Sequence, residues 1–384
     1  MRIAFVSDTF TPQVNGVTTV LRRMVRALTD ACHAVALVAP AYPEGQAAGQ
    51  GELRIRSLAF PPYPAIRLSL PAHGRLTRFL DRFEPDLVHV ATEGPLGLLG
   101  RRYALGRRLP LVTSYHTHFP HYCRHYGVAA LEPLVWRFLT WFHAPAAITH
   151  TPGDLARAEL VAHGVSRARV WGRSVDTRLF HHERRDMRLR RRLGIADGDV
   201  AVLHVGRLAP EKNLDTLLAA WTSARETPGL RVRFILAGDG PLGARLSTAM
   251  PWAIRFGFLE LPLLATLYAS CDVCVLPSAT ETCGLVALEA MASGLPVIAA
   301  DAGGFRESVV QGRNGILVGL HDSAGFAAAI ARLALNAPLR RRMAAESRLA
   351  AVARDSALED AELLDQYRQV IGLEPSRDEW RAAS

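Results

Sequence analysis

The chain has 384 residues, length for two domains of roughly 150 to 200 residues that each bury a core. Its five cysteines stand at irregular spacing and make no disulfide framework, which points to a reducing cytosol, and no apolar run approaches the roughly eighteen residues of a membrane-spanning helix. Forty-four arginines and one lysine, Lys212, give a formal charge of +9 that favours anionic partners: phosphates, nucleic acid or an acidic membrane face.

In chain order, Arg2 to Ser7 reads as an apolar strand that reaches Asp8 at once, too short a stretch for a signal peptide. The loop Ser7-Asp8-Thr9-Phe10-Thr11-Pro12-Gln13-Val14-Asn15-Gly16 then leads into helical apolar periodicity just after Gly16. A glycine there lets a phosphate approach the backbone N–H groups at the positive end of the helix, while an ordinary Asn-Gly turn is the competing reading. Further strands are expected at Ala34 to Ala39, Leu87 to Ala91, Leu111 to Ser114 and Ala146 to Thr149, joined by long Pro-rich loops such as Phe60-Pro61-Pro62-Tyr63-Pro64. Just beyond one strand, Thr113-Ser114-Tyr115-His116-Thr117-His118-Phe119-Pro120-His121 gathers three histidines. No carboxylate or Cys completes a metal set, so hydrogen bonding at a ligand site is the preferred reading. From 131 to 143, Leu131, Leu134, Val135, Phe138, Leu139 and Phe142 share one helical face, the expected core face. Trp136, Arg137 and Trp141 lie off it and, with the Arg-rich segments nearby, would suit a membrane surface. No zinc finger, RNP-like strand or basic zipper accompanies the arginines, which argues against nucleic acid.

Residues 171–197 change character, from Trp171-Gly172-Arg173-Ser174 into a charged, Arg-rich segment, and mark a junction. Domains are therefore expected at 1–172 and 173–360, with 361–384 a helix or tail that could return to the first domain. The second half alternates strands (200–206, 231–237, 254–258, 273–277, 296–300) with helices near 211–224, 241–249, 262–270 and 283–293, the rhythm of a doubly wound parallel sheet. In such sheets ligands bind beyond the carboxyl ends of the strands.

The motifs of this half sit at those ends. Lys212 follows Val205-Gly206-Arg207 by a few residues, so a strand, a Gly turn and a helix opened by Pro210 carry two cations, an arrangement suited to an anion; a chance survivor on a solvated helix face is the alternative. Glu281 falls in the loop after the strand 273–277, Gly284 at a helix start, and Glu289 about two turns inside an apolar helix. A carboxylate there needs donors: ribose or sugar hydroxyls, or else a neighbouring backbone group or arginine. Gly238-Asp239-Gly240-Pro241-Leu242-Gly243 spells a dinucleotide fingerprint, but it follows the second strand of its domain and puts Asp239 inside the turn, which disfavours a dehydrogenase. Asp197-Gly198-Asp199 reads as a turn, and Cys271 with Cys274 as a strand entry without a second pair to hold a metal.

Asn15-Gly16-Val17, Tyr115-His116-Thr117-His118, Gly206-Arg207-x4-Lys212, Ala237-Gly238-Asp239-Gly240-Pro241, Glu281-x7-Glu289 and Asp301-Ala302-Gly303-Gly304-x2-Glu307 occur in the order of the retaining family 4 glycosyltransferases, which the chain resembles over nearly its whole length. Within that family it looks most like the GDP-mannose-dependent α-mannosyltransferases, through Pro12-Gln13-Val14-Asn15-Gly16-Val17. The resemblance implies a GT-B fold, two Rossmann-like α/β domains facing across a cleft, the first for the acceptor and the second for the nucleotide sugar. It implies that Arg207 and Lys212 hold the donor diphosphate, that Gly16 gives its N–H to the distal phosphate, and that Glu281, with the amides of Cys283, Gly284 and Leu285, contacts the donor sugar. Glu289 would hold the ribose, the base would lie near Gly257 and Phe258, and His116 would stand beside the transferred sugar. Asp8, Asn15 and His118 are the acceptor-side candidates. Cys283 departs from the phenylalanine frequent in the family, which bears on the shape of the sugar pocket. No nucleophilic carboxylate is clearly placed for a double displacement. The implied reaction is a front-face transfer through an oxocarbenium-like state, with no metal or cofactor and with the departing phosphate taking the acceptor proton. The expectation is a cytoplasmic enzyme moving a hexose, mannose from GDP-mannose, to a lipid or glycolipid acceptor at the inner membrane face. A UDP-sugar donor, a soluble acceptor, or a non-catalytic nucleotide- or sugar-binding protein are the alternatives.

Overall fold

The computed structural model describes residues 1–13, 15–43, 48–60, 63–116, 129–278, 281 and 283–372. It divides into two compact units, Met1–Gly172 together with the segment from Glu359 onward, and Arg173–Leu358.

The first unit is built on a seven-stranded sheet in the order β3-β2-β1-β6-β7-β8-β9. Its strands are β1 (Arg2–Val6), β2 (Ala34–Pro40), β3 (Glu52–Ile55), β6 (Leu87–Val90), β7 (Leu111–Ser114), β8 (Ile148–Thr151) and β9 (Ala168–Val170), all parallel. The central strands are buried along nearly their whole length, as strands covered on both faces must be, and their sequences are mostly apolar, with His89, Thr113 and Ser114 the buried polar exceptions. The short edge strands β3 and β9 carry no such run and escape a sequence reading. Among the described residues the helices of this part are α1 (Gly16–Asp30), α2 (His73–Phe83), α3 (Pro95–Arg107), α4 (Glu132–His143) and α5 (Asp154–Ala162).

Two expectations are corrected here. The Pro-rich stretch expected to be loop holds an antiparallel ribbon, β4 (Ser57–Phe60) with β5 (Tyr63–Ser69). A two-stranded ribbon has two open edges, so Pro64 need not break a ladder. The core face of α4 is also rotated from the expected one. Trp136, Leu139, Phe142 and His143 are buried, with Trp136 only 7% exposed and its ring stacked on His163 at 3.7 Å, whereas Leu134 and Trp141 are 64% and 51% exposed. Apolar residues ring much of this helix, so periodicity alone did not select which of them packs.

The second unit carries a six-stranded parallel sheet in the order β12-β11-β10-β13-β14-β15. Its strands are β10 (Val200–Val205), β11 (Val232–Ala237), β12 (Ile254–Phe256), β13 (Val273–Leu276), β14 (Val297–Ala300) and β15 (Gly315–Val318). Alternate residues feed opposite faces: Ala201, Leu203 and Val205 enter one apolar cluster, Val200 and Val202 the other. Among its helices are α6 (Met187–Arg192), α7 (Leu214–Arg225), α8 (Gly243–Ala249), α9 (Leu261–Ala269), α10 (Leu285–Ala292), α11 (Phe305–Ser308), α12 (Ser323–Leu335) and α13 (Ala337–Val352). The last helix, α14 (Ser356–Val370), begins in this unit and runs on into the first.

In each unit the strand order reverses beside its first strand, between β1 and β6 and between β10 and β13. Those two reversals, at the carboxyl edge of each sheet, are where parallel α/β folds receive ligands.

Candidate functional site

In the second unit the chain leaves β10 through Gly206-Arg207, makes a 3₁₀ turn at Pro210–Lys212 and passes Asn213 in the left-handed conformation. Asn213 fastens this loop to the one after β13, its Nδ2 donating to the Pro277 carbonyl at 3.1 Å. Lys212 thereby points its ammonium across the strand reversal into an ion pair with Glu281, both side chains largely covered. Glu281 is itself fixed by its backbone, whose carbonyl accepts the Gly304 N–H at 2.7 Å. Arg207 stands exposed at the same loop.

Beyond Glu281 the chain turns through Gly284 at φ 68°, where a side chain would crowd the Phe305 ring at 3.1 Å. Only glycine fits that left-handed cap beside a ring. Helix α10 starts at Leu285, so the Leu285 and Val286 N–H groups precede its first turn of bonds, which opens with Ala287 N–H to the Gly284 carbonyl at 2.8 Å. One turn on, Glu289 is half-buried and its Oε2 accepts the Tyr268 hydroxyl at 3.1 Å. Burial, with Glu281 adding repulsion, pushes its carboxyl up to about 7 against the opposing hydrogen bond. The donor anticipated for this carboxylate among protein groups is therefore a tyrosine rather than a backbone group or arginine. Tyr268 lies on another helix at no diagnostic spacing, and sequence reasoning missed it.

His204 was missed too. It is buried in β10, its Nδ1 meets the Val275 carbonyl at 2.9 Å, and burial pushes it down to about 4, so the ring is neutral beneath the Lys212–Glu281 pair. Gly257 and Phe258 follow β12 at the same sheet edge, with Phe258 64% exposed and open space around Gly257.

The glycine-rich run after β11 has a backbone task. A side chain on Gly238, at φ 138°, would fall on the Gly206 carbonyl, and the loop is laced to the one after β10 by Leu208 N–H to Asp239 O and Leu242 N–H to Leu208 O, each 2.9 Å. Asp199 accepts from Ala196 N–H at 3.1 Å and pairs with Arg231 and Arg233 at 2.9 and 3.3 Å, a turn and not a metal ligand pair. Among the described residues one trio of His, Cys, Asp or Glu side chains could share an ion, His181, His182 and Glu183, at the start of a 3₁₀ turn that ends in Arg184.

In the first unit, Asn15 caps α1, its Oδ1 accepting Thr18 N–H at 2.8 Å and its Nδ2 donating to Thr9 Oγ1 at 3.1 Å. Gly16 is the first helical residue, with nothing within 4 Å of where a side chain would stand, so its backbone is open to approach. Asp8 spends its carboxylate on α3: Thr92 Oγ1 donates at 2.9 Å, Leu96 N–H at 2.8 Å and Gly97 N–H at 3.2 Å. Burial nevertheless raises its pKa above the ordinary carboxylate value, the helix donors opposing. His116, just past β7, is pushed down to about 4 by burial and by His150, and its Nε2 has no partner among the described residues. His118 lies outside the described residues.

The structure thus brings Lys212, Glu281 and Glu289 together electrostatically and sets Arg207, Gly284, Leu285, Gly257 and Phe258 on the same carboxyl edge of the second sheet. Cations beside an open helix N-terminus can hold a diphosphate, and carboxylates can hold hydroxyls.

Two family descriptions match the sequence: "Glycosyltransferase Family 4" over residues 14–179 and "Glycosyl transferases group 1" over 199–336. The GDP-mannose-dependent alpha-mannosyltransferase of Mycolicibacterium smegmatis is 36% identical over 97% of this chain and 98% of its own length. The alpha-monoglucosyldiacylglycerol synthase of Streptococcus pneumoniae is 28% identical, covering 78% and 71% of the two chains. In fold, the crystal structure of Anabaena HepE in complex with UDP superposes with a TM-score of 0.76 over 96% of this chain and all of its own, at 21% identity.

Proposed function

This chain belongs to glycosyltransferase family 4, with the GT-B fold, and on that premise we propose that it transfers mannose from GDP-mannose, with retention, to a lipid or glycolipid acceptor. The observation that carries the reading is the Lys212–Glu281 pair across the strand reversal of the second unit, with Glu289 beyond it. Without a ligand the two opposite charges satisfy each other; with one, the ammonium is in place for the diphosphate and the carboxylate for sugar hydroxyls. Arg207 joins Lys212 in neutralising charge that grows on the departing phosphate, stabilisation aimed at the transition state. The amides of Cys283, Gly284 and Leu285 support the sugar, Glu289 takes the ribose diol, and the base rests by Gly257 and Phe258. In the first unit taken by itself, the uncrowded backbone at Gly16 and the neutral ring of His116 are the groups suited to a phosphate and a sugar hydroxyl. Fixed cations do the work a metal would do, so turnover is expected to survive a chelator, and a rate abolished by chelation and restored by one divalent ion would overturn that step.

The donor assignment rests on the near-full-length similarity to the mannosyltransferase relatives. It is tested by thermal unfolding of the purified protein with GDP, GDP-mannose, UDP or UDP-glucose, since a ligand bound only to the folded state raises Tm. Guanine nucleotides alone are expected to raise it. A shift with the uridine set alone would transfer the same chemistry to a UDP-sugar enzyme.

The acceptor assignment rests on α4 and its neighbour. Leu134 and Trp141 on α4 and Leu98 and Leu105 on α3 are exposed among arginines, and the Arg101 guanidinium lies 3.9 Å over the Trp141 ring. Apolar side chains rimmed by cations fit an anionic membrane surface, and no helix among the described residues is long and apolar enough to cross one.

A further inference from the structure

Glu289 has one hydrogen-bond donor among the described residues, and it comes from a different helix. Tyr268, on α9, is fully buried, its ring set edge-on against Phe180, and its hydroxyl reaches Glu289 Oε2 at 3.1 Å. The next acceptor, the Val286 carbonyl, is 3.5 Å away, so the single phenolic proton goes to the carboxylate. Each carboxylate oxygen has room for two donors, and Oε2 can keep the tyrosine while both oxygens face a vicinal diol. We propose that Tyr268 is a positioning residue for the nucleotide: its buried hydroxyl holds Glu289 in one orientation and in its ionised form, so that the ribose diol meets a fixed anion. This rests on the reading above that Glu289 takes the ribose.

Among the described residues the surroundings supply no other group for the task. From β13, the Cys274 thiol is pushed up by burial and by Glu289 and stays neutral. From the loop, Glu281 adds repulsion. The cations on flanking elements are engaged elsewhere: Arg348 of α13 on the carbonyls of Phe180, Ala292 and Thr177, and Arg173 on Glu307 of α11. Strand β14 has no titratable side chain. Tyr268, its own ionisation pushed far up by burial, remains a donor throughout the neutral range.

The sign follows. A protonated carboxyl accepts two hydroxyls poorly, so affinity for a ribonucleotide falls as pH drops through about 7. Removing the phenolic donor favours the protonated form, so the midpoint moves to higher pH. The experiment is the Kd of GDP and of UDP, both bearing the diol, by calorimetry from pH 5.5 to 9 on the full chain. For Tyr268→Phe the midpoint is expected to rise by about one unit, with binding about tenfold weaker near pH 6.5 and converging on the unsubstituted protein near pH 9. With 3-fluorotyrosine placed at 268, a stronger donor of nearly the same shape, the midpoint is expected to move the other way, and this second variant decides the matter if Tyr268→Phe does not fold. Glu289→Gln separates the two readings: it should bind weakly and keep only the pH dependence of the diphosphate's own second ionisation, which is common to every variant. If Glu289→Gln binds as the unsubstituted protein does, the ribose assignment falls; if it weakens binding while neither Tyr268 variant moves the midpoint, the role of Tyr268 falls.

Discussion

Lys212 was conspicuous as the lone lysine among forty-four arginines, and its place explains the exception. The ammonium ends a short turn, covered on most sides, where a single oxygen of Glu281 meets it. An arginine there would need a planar fork and a second acceptor in line. On the proposed mechanism, Lys212→Ala should lower kcat by about 10² to 10³, the cost of losing one oriented transition-state donor. Lys212→Arg should recover little of it. Steady-state rates that stay unchanged in both variants would remove Lys212 from the chemistry. Asp8 makes the contrasting prediction. Because its carboxylate caps α3, Asp8→Ala should cost about 1 to 2 kcal/mol of stability in thermal unfolding while leaving the nucleotide-induced Tm shift intact. The residue types of the site were legible because each breaks a local rule: a carboxylate in an apolar helix, a glycine where a helix begins, a lysine in an arginine protein. Tyr268 and His204 break none, and only their neighbours reveal them.

Helices and strands that are buried all round announced themselves; those that are not did so poorly. The central strands of both sheets are dominated by Val, Ile, Leu and Ala, and a stretch of that kind allows few other structures. Edge strands β3, β9 and β15 are short and paired on one side, so their sequences carry less of the fold. Helix α4 illustrates the limit from the other side. It has apolar residues on more of its circumference than the core can cover, and packing through Trp136 and Leu139 rather than Leu134 was settled by the neighbours they meet, among them Ala156, Leu160 and Val165. The uncovered apolar face is the testable remainder. On the membrane reading, Leu134→Glu or Trp141→Glu should weaken partition onto anionic vesicles by roughly tenfold without lowering Tm. Binding by the unsubstituted protein should itself decline with added salt. Partition that ignores both charge and salt would assign this face elsewhere.

At the scale of the molecule, the chain's last described segment belongs to its first unit. Tyr367 and Leu363 are fully buried there, the Tyr367 hydroxyl meets His89, Gln366 Oε1 lies 2.7 Å from His150 Nε2, and Glu359 with Asp360 pairs with Arg23. Tyr367→Ala should therefore destabilise the first unit by about 3 to 5 kcal/mol, read as an earlier unfolding step, while GDP still stabilises the second. The sequence alone determined the alternation of strand and helix, the two-domain count, the family resemblance and the motifs at the strand ends, because each is written in spacing along the chain and each strand's burial dictates its own composition. Tertiary structure alone decided which face of α4 packs, which side chains the returning tail meets, that Asp8 caps a helix, and that the Tyr268 hydroxyl meets Glu289. Those are choices between partners distant in sequence, where several pairings satisfy the same local pattern and only simultaneous packing of the whole unit selects one.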